Sequence, residues 1–509
     1  MNRTFYKIIA LILAAVCFAA LFSGCSYNRN DVPPPPDLTA QPDIEDPGEP
    51  VKYKLSGALS SHMIVQREQL ITIWGSEGTP GGILYGEFMN EKRYAVINED
   101  GTWEMQFSSH KATTEPQVMR IYPTNGIMTE LQDILVGDVW MVSGQSNAEL
   151  NLGRTVDHNQ EIINQIDPSD NIRLYYQSIY DYGGEINLVN APLTDVISPN
   201  YCWERSTSVA ADKFSAIGYY FAKNVSQHTD VPIGVIMTAA GGYALRHFMT
   251  IELATELGYE TGGKIFDTLI APVMKLPIKG MLFYQGENDN WNADTYAEHL
   301  KCFVNMMRDF YGYDFPFYNV QLSSHAGKAM YEWPGLFDLR CAQLAAAQLI
   351  PNYYLVASYD VGALSDSDPD VYHPTNKKPV GDRLAALALA QYYDRGSNTI
   401  SASACPVPTS VEWQEDYAIV KFDYIGSGLK SGNGSSAVAG FSILNAQKKI
   451  IAYCKAEITG QNTVKVTLRE NVKDQMAGIG YAADFVATPD SNDLMNSNNM
   501  PAVSFAFMK

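Results

Sequence analysis

Hydrophobic and polar positions change rhythm twice along the chain. From about 51 to 135, apolar and polar residues alternate in short runs broken by Gly and Asp. Examples are Ile71-Thr72-Ile73-Trp74, and Trp103, Met105 and Phe107 on one face after the Asp100-Gly101 turn. Period-two alternation with closely spaced turns predicts an N-terminal antiparallel β-sandwich. From 136 to 400 the apolar residues form unbroken runs instead: Val136–Val142, Val231–Met237, Met281–Tyr284, Phe317–Leu322 and Tyr353–Ala357. Strands buried on both faces read this way. Helical spacing separates them, most plainly Tyr296, Leu300, Phe303, Met307 and Phe310, which form one apolar stripe. Strands alternating with helices predict an α/β domain with a doubly wound parallel sheet. After 401, alternation returns in Ile419-Val420-Lys421-Phe422 and Val464–Leu468, predicting a C-terminal β region over 401–509.

The first 50 residues follow neither rhythm. Arg3 and Lys7 precede an apolar run from Ile8 to Leu21, then Phe22-Ser23-Gly24-Cys25. A basic start, a short apolar core and small residues before a cleavage point predict a signal peptide over 1–24. Cys directly after Ser-Gly resembles the lipobox of bacterial lipoproteins, which implies lipidation of Cys25. Residues 26–50 carry Pro33 to Pro36, Pro42, Pro47 and Pro50 among Asp31, Asp37, Asp43, Glu45, Asp46 and Glu49. Such a segment has little to bury and self-repels, so it reads as a spacer. The expected location is extracytoplasmic, at the cell surface, with membrane contact only through the lipid.

Composition narrows the function classes. Hydrophobic residues make up 46% of the 509 and charged residues 18%, enough for a sizeable core and against wholesale disorder. A net charge of −20 argues against nucleic acid, whose phosphates need basic patches. Seven Cys in so long a chain make no disulfide framework and no zinc-finger spacing. Cys202, Cys302, Cys341, Cys405 and Cys454 are expected as buried free thiols. Trp74, Trp103 and Trp413 are expected to fill sandwich cores.

In a doubly wound sheet, ligands bind beyond the carboxyl ends of the strands. Ser143-Gly144-Gln145-Ser146-Asn147-Ala148-Glu149 follows the first run and Ala239-Ala240-Gly241-Gly242-Tyr243 the second. Gln285-Gly286-Glu287-Asn288-Asp289 follows the third, and Asp370-Val371-Tyr372-His373-Pro374 comes after the last. These are the parts of a serine hydrolase. A Ser hydroxyl is a poor nucleophile until a base takes its proton. Asp three residues before a His can accept the imidazole N–H and fix its tautomer. Glycines let backbone N–H groups approach a developing oxyanion, and a Gln amide can donate to the same oxygen. Ala148 occupies the last Gly position of a G-x-S-x-G elbow, which argues against an ordinary α/β-hydrolase.

These residues resemble a known family. Val136-Gly137-Asp138-Val139-Trp140 leading into Ser143-Gly144-Gln145-Ser146-Asn147 is similar to the bacterial sialate O-acetylesterase-like proteins, carbohydrate acetylesterases of the SGNH-hydrolase type. So are Phe283-Tyr284-Gln285-Gly286-Glu287-Asn288 and the block from His373-Pro374 through Asn376-Lys377 and Pro379-Val380-Gly381 to Arg383-Leu384-Ala385. The likeness reaches Trp333, Arg340 and Gln343, Ser60 to Arg67 in the sandwich, and Asn496, Pro501 and Phe505 in the tail. It implies Ser146 as nucleophile, His373 as base and Asp370 as its orienting acid. It also implies an oxyanion hole from Ser146, the Gly241-Gly242 loop and Gln285. Gln145, Asn147, Tyr243, Arg246, Glu287 and Arg340 are then expected around an acetylated carbohydrate, sialate or hemicellulosic. No cofactor and no metal are implied. Ala240, Tyr243, Arg246 and Phe248 stand where the family has a Trp, a Thr, an acid and a second Trp, so the exact sugar does not carry over.

Two other readings use the same residues differently. A glycosidase would pair Glu287 with Asp289 or Asp360, carboxyls that must sit about 5–9.5 Å apart across a sugar. A non-catalytic surface lipoprotein would bind glycans through its sandwiches.

Overall fold

The computed structural model describes residues 50–155, 164–180, 186–198, 200–325, 334–362, 372–393, 399–484 and 493–509. The signal and spacer, Cys25, Trp333 and Asp370 lie outside them. Chain order begins with strands β1 (Lys54–Leu55), β2 (Ile64–Gln66), β3 (Ile71–Ser76), β4 (Ile83–Phe88), β5 (Glu91–Val96), β6 (Trp103–Phe107) and β7 (Thr113–Pro123). Alternation sorts their faces: Trp103, Met105 and Phe107 are buried while Glu104 and Gln106 are exposed. Sheet β1-β3-β6 packs against β4, where a side chain at Gly86 would meet Met105 and Phe107.

Strand β8 (Thr129–Gly144) is the long spine. Its first half pairs with β7 and β2 and its second half with the central sheet. That sheet adds β9 (Ile172–Tyr175), β10 (Trp203–Arg205), β11 (Ile233–Met237), β12 (Gly280–Tyr284), β13 (Phe317–Val320) and β14 (Tyr353–Val356), in the order β10-β9-β11-β8-β12-β13-β14. The five expected runs all form parallel strands. The sheet is nevertheless mixed, because β10 joins β9 antiparallel. Successive residues of a strand face opposite sides. Trp140 therefore meets Phe221 of the helix Ala216–Ser226, while Phe283 meets Phe303 of the helix Ala293–Tyr311 on the other face. The latter helix buries Tyr296, Leu300, Phe303 and Met307 as expected, but Phe310 is 55% exposed and stacks on Phe266.

Charge welds the amino-terminal strands to the spine. Arg67 forks onto Asp138 at 2.9 and 2.8 Å, and Gln66 Nε2 donates to the same carboxylate at 2.8 Å. A buried bidentate pair of this kind fixes register as well as energy. The carboxy-terminal residues form a five-stranded sheet and a four-stranded sheet that meet through Phe422 and Phe505. They dock onto the α/β region where Gln321 exchanges two hydrogen bonds with Ser504. Trp74 and Trp103 are buried in the sandwich, whereas Trp413 is half-buried beneath Lys509. The five described cysteines are free thiols. Cys202 is exposed, however, and only Cys405 is wholly buried, so the expectation of buried thiols fails for most of them.

Candidate active site

The carboxyl ends of β8, β11 and β12 lie side by side, so their loops converge. Close approach shapes the first one: at Gly144 (φ +124°) a Cβ would fall 2.1 Å from the Tyr284 carbonyl oxygen. The chain then turns into the single helical turn Ser146–Glu149. Gln145, Asn147 and Ala148 are buried, and Ser146 between them is half-exposed. The Gly241 loop from β11 lies directly against it, since a Cβ on Gly241 would come 3.3 Å from Ser146 Cβ.

His373 is half-buried on the loop before the helix Lys378–Ala388. Two contacts tie that loop to the serine turn. Asn147 Nδ2 donates to the Tyr372 carbonyl at 3.2 Å, and Lys377 Nζ donates to Asn147 Oδ1 at 2.6 Å. The neighbours of Ser146 and His373 are thus hydrogen-bonded across more than two hundred residues of chain.

Several residues expected at the sugar are interior instead. Gln145, Asn147, Glu287 and Arg340 are 2%, 1%, 0% and 1% exposed. Each meets protein groups, and a buried polar group must do so. Gln145 Oε1 accepts from the Gly286 and Asn288 N–H groups, both at 3.3 Å, and shapes the β12 loop. Asn147 Nδ2 also donates to Glu287 Oε1 at 2.6 Å. Arg340 donates to the Ala482 and Asp484 carbonyls, both at 3.1 Å, and anchors the carboxy-terminal sheets. Tyr243 and Arg246 remain half-buried.

Gln285 is wholly buried. Its Nε2 donates to Asp289 Oδ2 at 2.5 Å, and its Oε1 accepts from the Tyr296 hydroxyl at 3.0 Å. Asp289 Oδ2 also accepts the Leu245 N–H at 2.7 Å. Burial raises the pKa of both Glu287 and Asp289. Both carboxyls are buried against protein groups and Asp360 is forked by Arg383, so none of the three stands open as a glycosidase acid must. His247, edge-on to Tyr243, is pushed down to about 4, mainly by burial and then by Arg246 and Lys264. It is neutral at pH 7. Among the described residues, no three His, Cys, Asp or Glu converge as a metal site requires.

Glu149, which the motifs do not single out, sits against the glycine loop. Its Oε2 accepts the Gly241 N–H at 2.7 Å, and burial raises its pKa against the pull of that N–H and of Arg154. The available signal was its place three residues after Ser146, on the same helical turn.

With this geometry in hand, comparison with known proteins gives a consistent picture. Residues 136–390 match the model of a family described as carbohydrate esterase, sialic acid-specific acetylesterase. The sialate O-acetylesterase of Homo sapiens is 24% identical over 415 residues, spanning 74% of this chain and 77% of that protein. The one from Mus musculus is 22% identical over 441 residues, 74% of this chain and 79% of that protein. A solved carbohydrate acetylesterase from Xanthomonas citri has a TM-score of 0.76 at 26% identity, covering 90% of this chain and 99% of the other.

Proposed function

The chain belongs to the sialic acid-specific acetylesterase family of carbohydrate esterases, and we propose that it removes O-acetyl groups from sugars through an acetyl-enzyme on Ser146. It is a carboxylic ester hydrolase, and the SGNH type accounts for a nucleophile, glycine loop and base carried on the loops of one sheet. The observation that carries this reading is the half-exposed Ser146 turn, bonded through Asn147 to the loop bearing His373.

In the first step Ser146 Oγ attacks the acetyl carbonyl while His373 takes its proton. Asp370 would orient the imidazole. The tetrahedral oxyanion is held by the Ser146 N–H and the glycine loop. Because the Gly241 N–H is engaged by Glu149, Gly242 (exposed, φ +83°) is assigned as the loop's donor. Gln285 supports the loop from beneath, through Asp289 and the Leu245 N–H. Collapse expels the sugar alkoxide, which His373 reprotonates. Water, deprotonated by His373, then releases acetate and regenerates Ser146.

The test is acetate release from an acetylated sugar and from 4-nitrophenyl acetate. Ser146→Ala should lose about 10³-fold or more in kcat; a wild-type rate in that variant refutes the nucleophile. Export and lipidation at Cys25 are part of the proposal, supported by the Arg3/Lys7 start and apolar run. Labelled fatty acid should enter the wild-type chain and not Cys25→Ser, and equal labelling refutes the anchor.

A further inference from the structure

Beside the serine turn, the sheet edge opens into a cavity of ≈ 430 Å³ with Glu149 on its wall. The position follows from topology. Because β10 is antiparallel to β9, with Trp203 opposite Tyr175, the residues leading into β10 meet the loop leaving β9 at the carboxyl edge. That edge lies two strands from Ser146. The volume falls within the usual range of small-ligand sites, about 300–1,000 Å³.

Its chemistry suits a sugar. Tyr176 and Tyr201 pack edge to face at 6.4 Å and give the wall an apolar surface. The side-chain amides of Asn187 and Asn200 and the Tyr180 hydroxyl have no hydrogen-bond partner among the described residues. Hydroxyl groups on a ring need such open donors and acceptors.

Charge then selects among sugars. Lys213 is the one cation on the described wall, and it is spent: its Nζ lies 3.0 Å from Glu204 Oε1 and above the Tyr176 ring. Glu149 adds a carboxyl that burial holds toward its neutral form and that offers an anion no partner. Arg246, the other candidate for a sugar carboxylate, carries its guanidinium over the Tyr259 ring at 5.7 Å. Carboxylates are recognised by free guanidinium forks, and an anion entering here would find no unpaired cation on the described wall.

We propose that this cavity is the sugar subsite of the esterase and that it takes an uncharged acetylated glycan in preference to a carboxylate-bearing sugar such as sialic acid. This rests on the esterase reading above. The glycan ring sits against Tyr176 and Tyr201, Asn187 and Asn200 bind its free hydroxyls, and the acetyl ester reaches past Glu149 to Ser146.

The experiment measures kcat/KM of the wild type on acetylated xylo-oligosaccharides, on O-acetylated sialic acid and on 4-nitrophenyl acetate. The neutral oligosaccharide should exceed the sialate by at least about tenfold. Asn187→Ala with Asn200→Ala should lower the oligosaccharide:aryl acetate ratio about tenfold, chiefly through KM. Glu204→Gln, which frees Lys213, should raise the sialate:oligosaccharide ratio several-fold. Preference for sialate, or ratios unmoved by both changes, overturns the subsite while leaving the esterase intact. Failure of the wild type to hydrolyse even 4-nitrophenyl acetate overturns both.

Discussion

Removing the Asn147 side chain tests how the serine turn and the His373 loop are held together. Its amide bridges two buried ionisable side chains, donating to Glu287 Oε1 and accepting from Lys377 Nζ, both at 2.6 Å, and it also donates to the Tyr372 carbonyl. Hydrogen bonds to charged groups contribute about 1.5–3 kcal/mol each. Stripping a partner from buried charges costs about 3–5 kcal/mol. Asn147→Ala should therefore lose about 3–5 kcal/mol, read by urea unfolding at pH 7.5. The pH dependence has a definite sign. A carboxyl whose folded pKa is raised contributes stability below its unfolded pKa and loses it as pH rises through the folded one. Burial raises Glu287, and the Asn147 amide opposes that rise. The variant's deficit should therefore be larger at pH 7.5 than at pH 4.5. Adding Glu287→Gln should recover at least about 1 kcal/mol, since the orphaned carboxylate is then neutral. While folded, the variant should also lose kcat, because Tyr372 is released beside His373. A stability loss below about 1 kcal/mol with wild-type kcat would refute the bridge.

Other perturbations separate machinery from scaffold. Gly241→Ala places a Cβ 2.9 Å from Glu149 Oε2 and 3.3 Å from Ser146 Cβ; kcat for 4-nitrophenyl acetate should fall about 10²–10³-fold, as when an oxyanion donor is lost, and an unchanged kcat would contradict the close packing. Arg340→Ala should destabilise the fold by about 3 kcal/mol in thermal or urea unfolding, with kcat/KM for 4-nitrophenyl acetate within about twofold of wild type; a large KM effect would restore its expected place at the substrate. Asp267 is raised to about 6, chiefly by burial and then by Glu252, so its contribution is full below about pH 4 and lost as pH rises through about 6. Asp267→Asn should therefore gain about 1–3 kcal/mol over the wild type at pH 7.5 and nothing at pH 4, and equal gains at both pH values would refute the titration.

How much of this was legible follows from the range of each signal. Unbroken apolar runs located five parallel strands because burial on both faces leaves no polar position to interrupt them. Strand β9 escaped notice because Arg173 splits its run. That arginine is buried, and its Nη2 lies 3.2 Å from Asp133, a partner forty residues away. Strand β10 has only Trp203 as an apolar residue, so its antiparallel edge carried no period. Phe310 fits the helical stripe by spacing, yet it is 55% exposed and covered on one ring face by Phe266, a partner the spacing does not encode. At the site, Ser146, the glycine pair and His373 stood out because loops after strands share one edge. The interior roles of Gln145, Asn147, Glu287 and Arg340 depend on long-range contacts that motif spacing does not encode. The same motif identities suited either a sugar or a buried network, and only burial separates the two.

Activity-based labelling tests the central claim most directly. After reaction with a serine-directed fluorophosphonate, digestion and mass spectrometry should place the adduct on the peptide containing Ser146. Labelling should rise and fall with loss of 4-nitrophenyl acetate turnover and be absent from Ser146→Ala. An adduct on another serine that tracks the lost activity, or full turnover by a protein that never labels, would contradict the account.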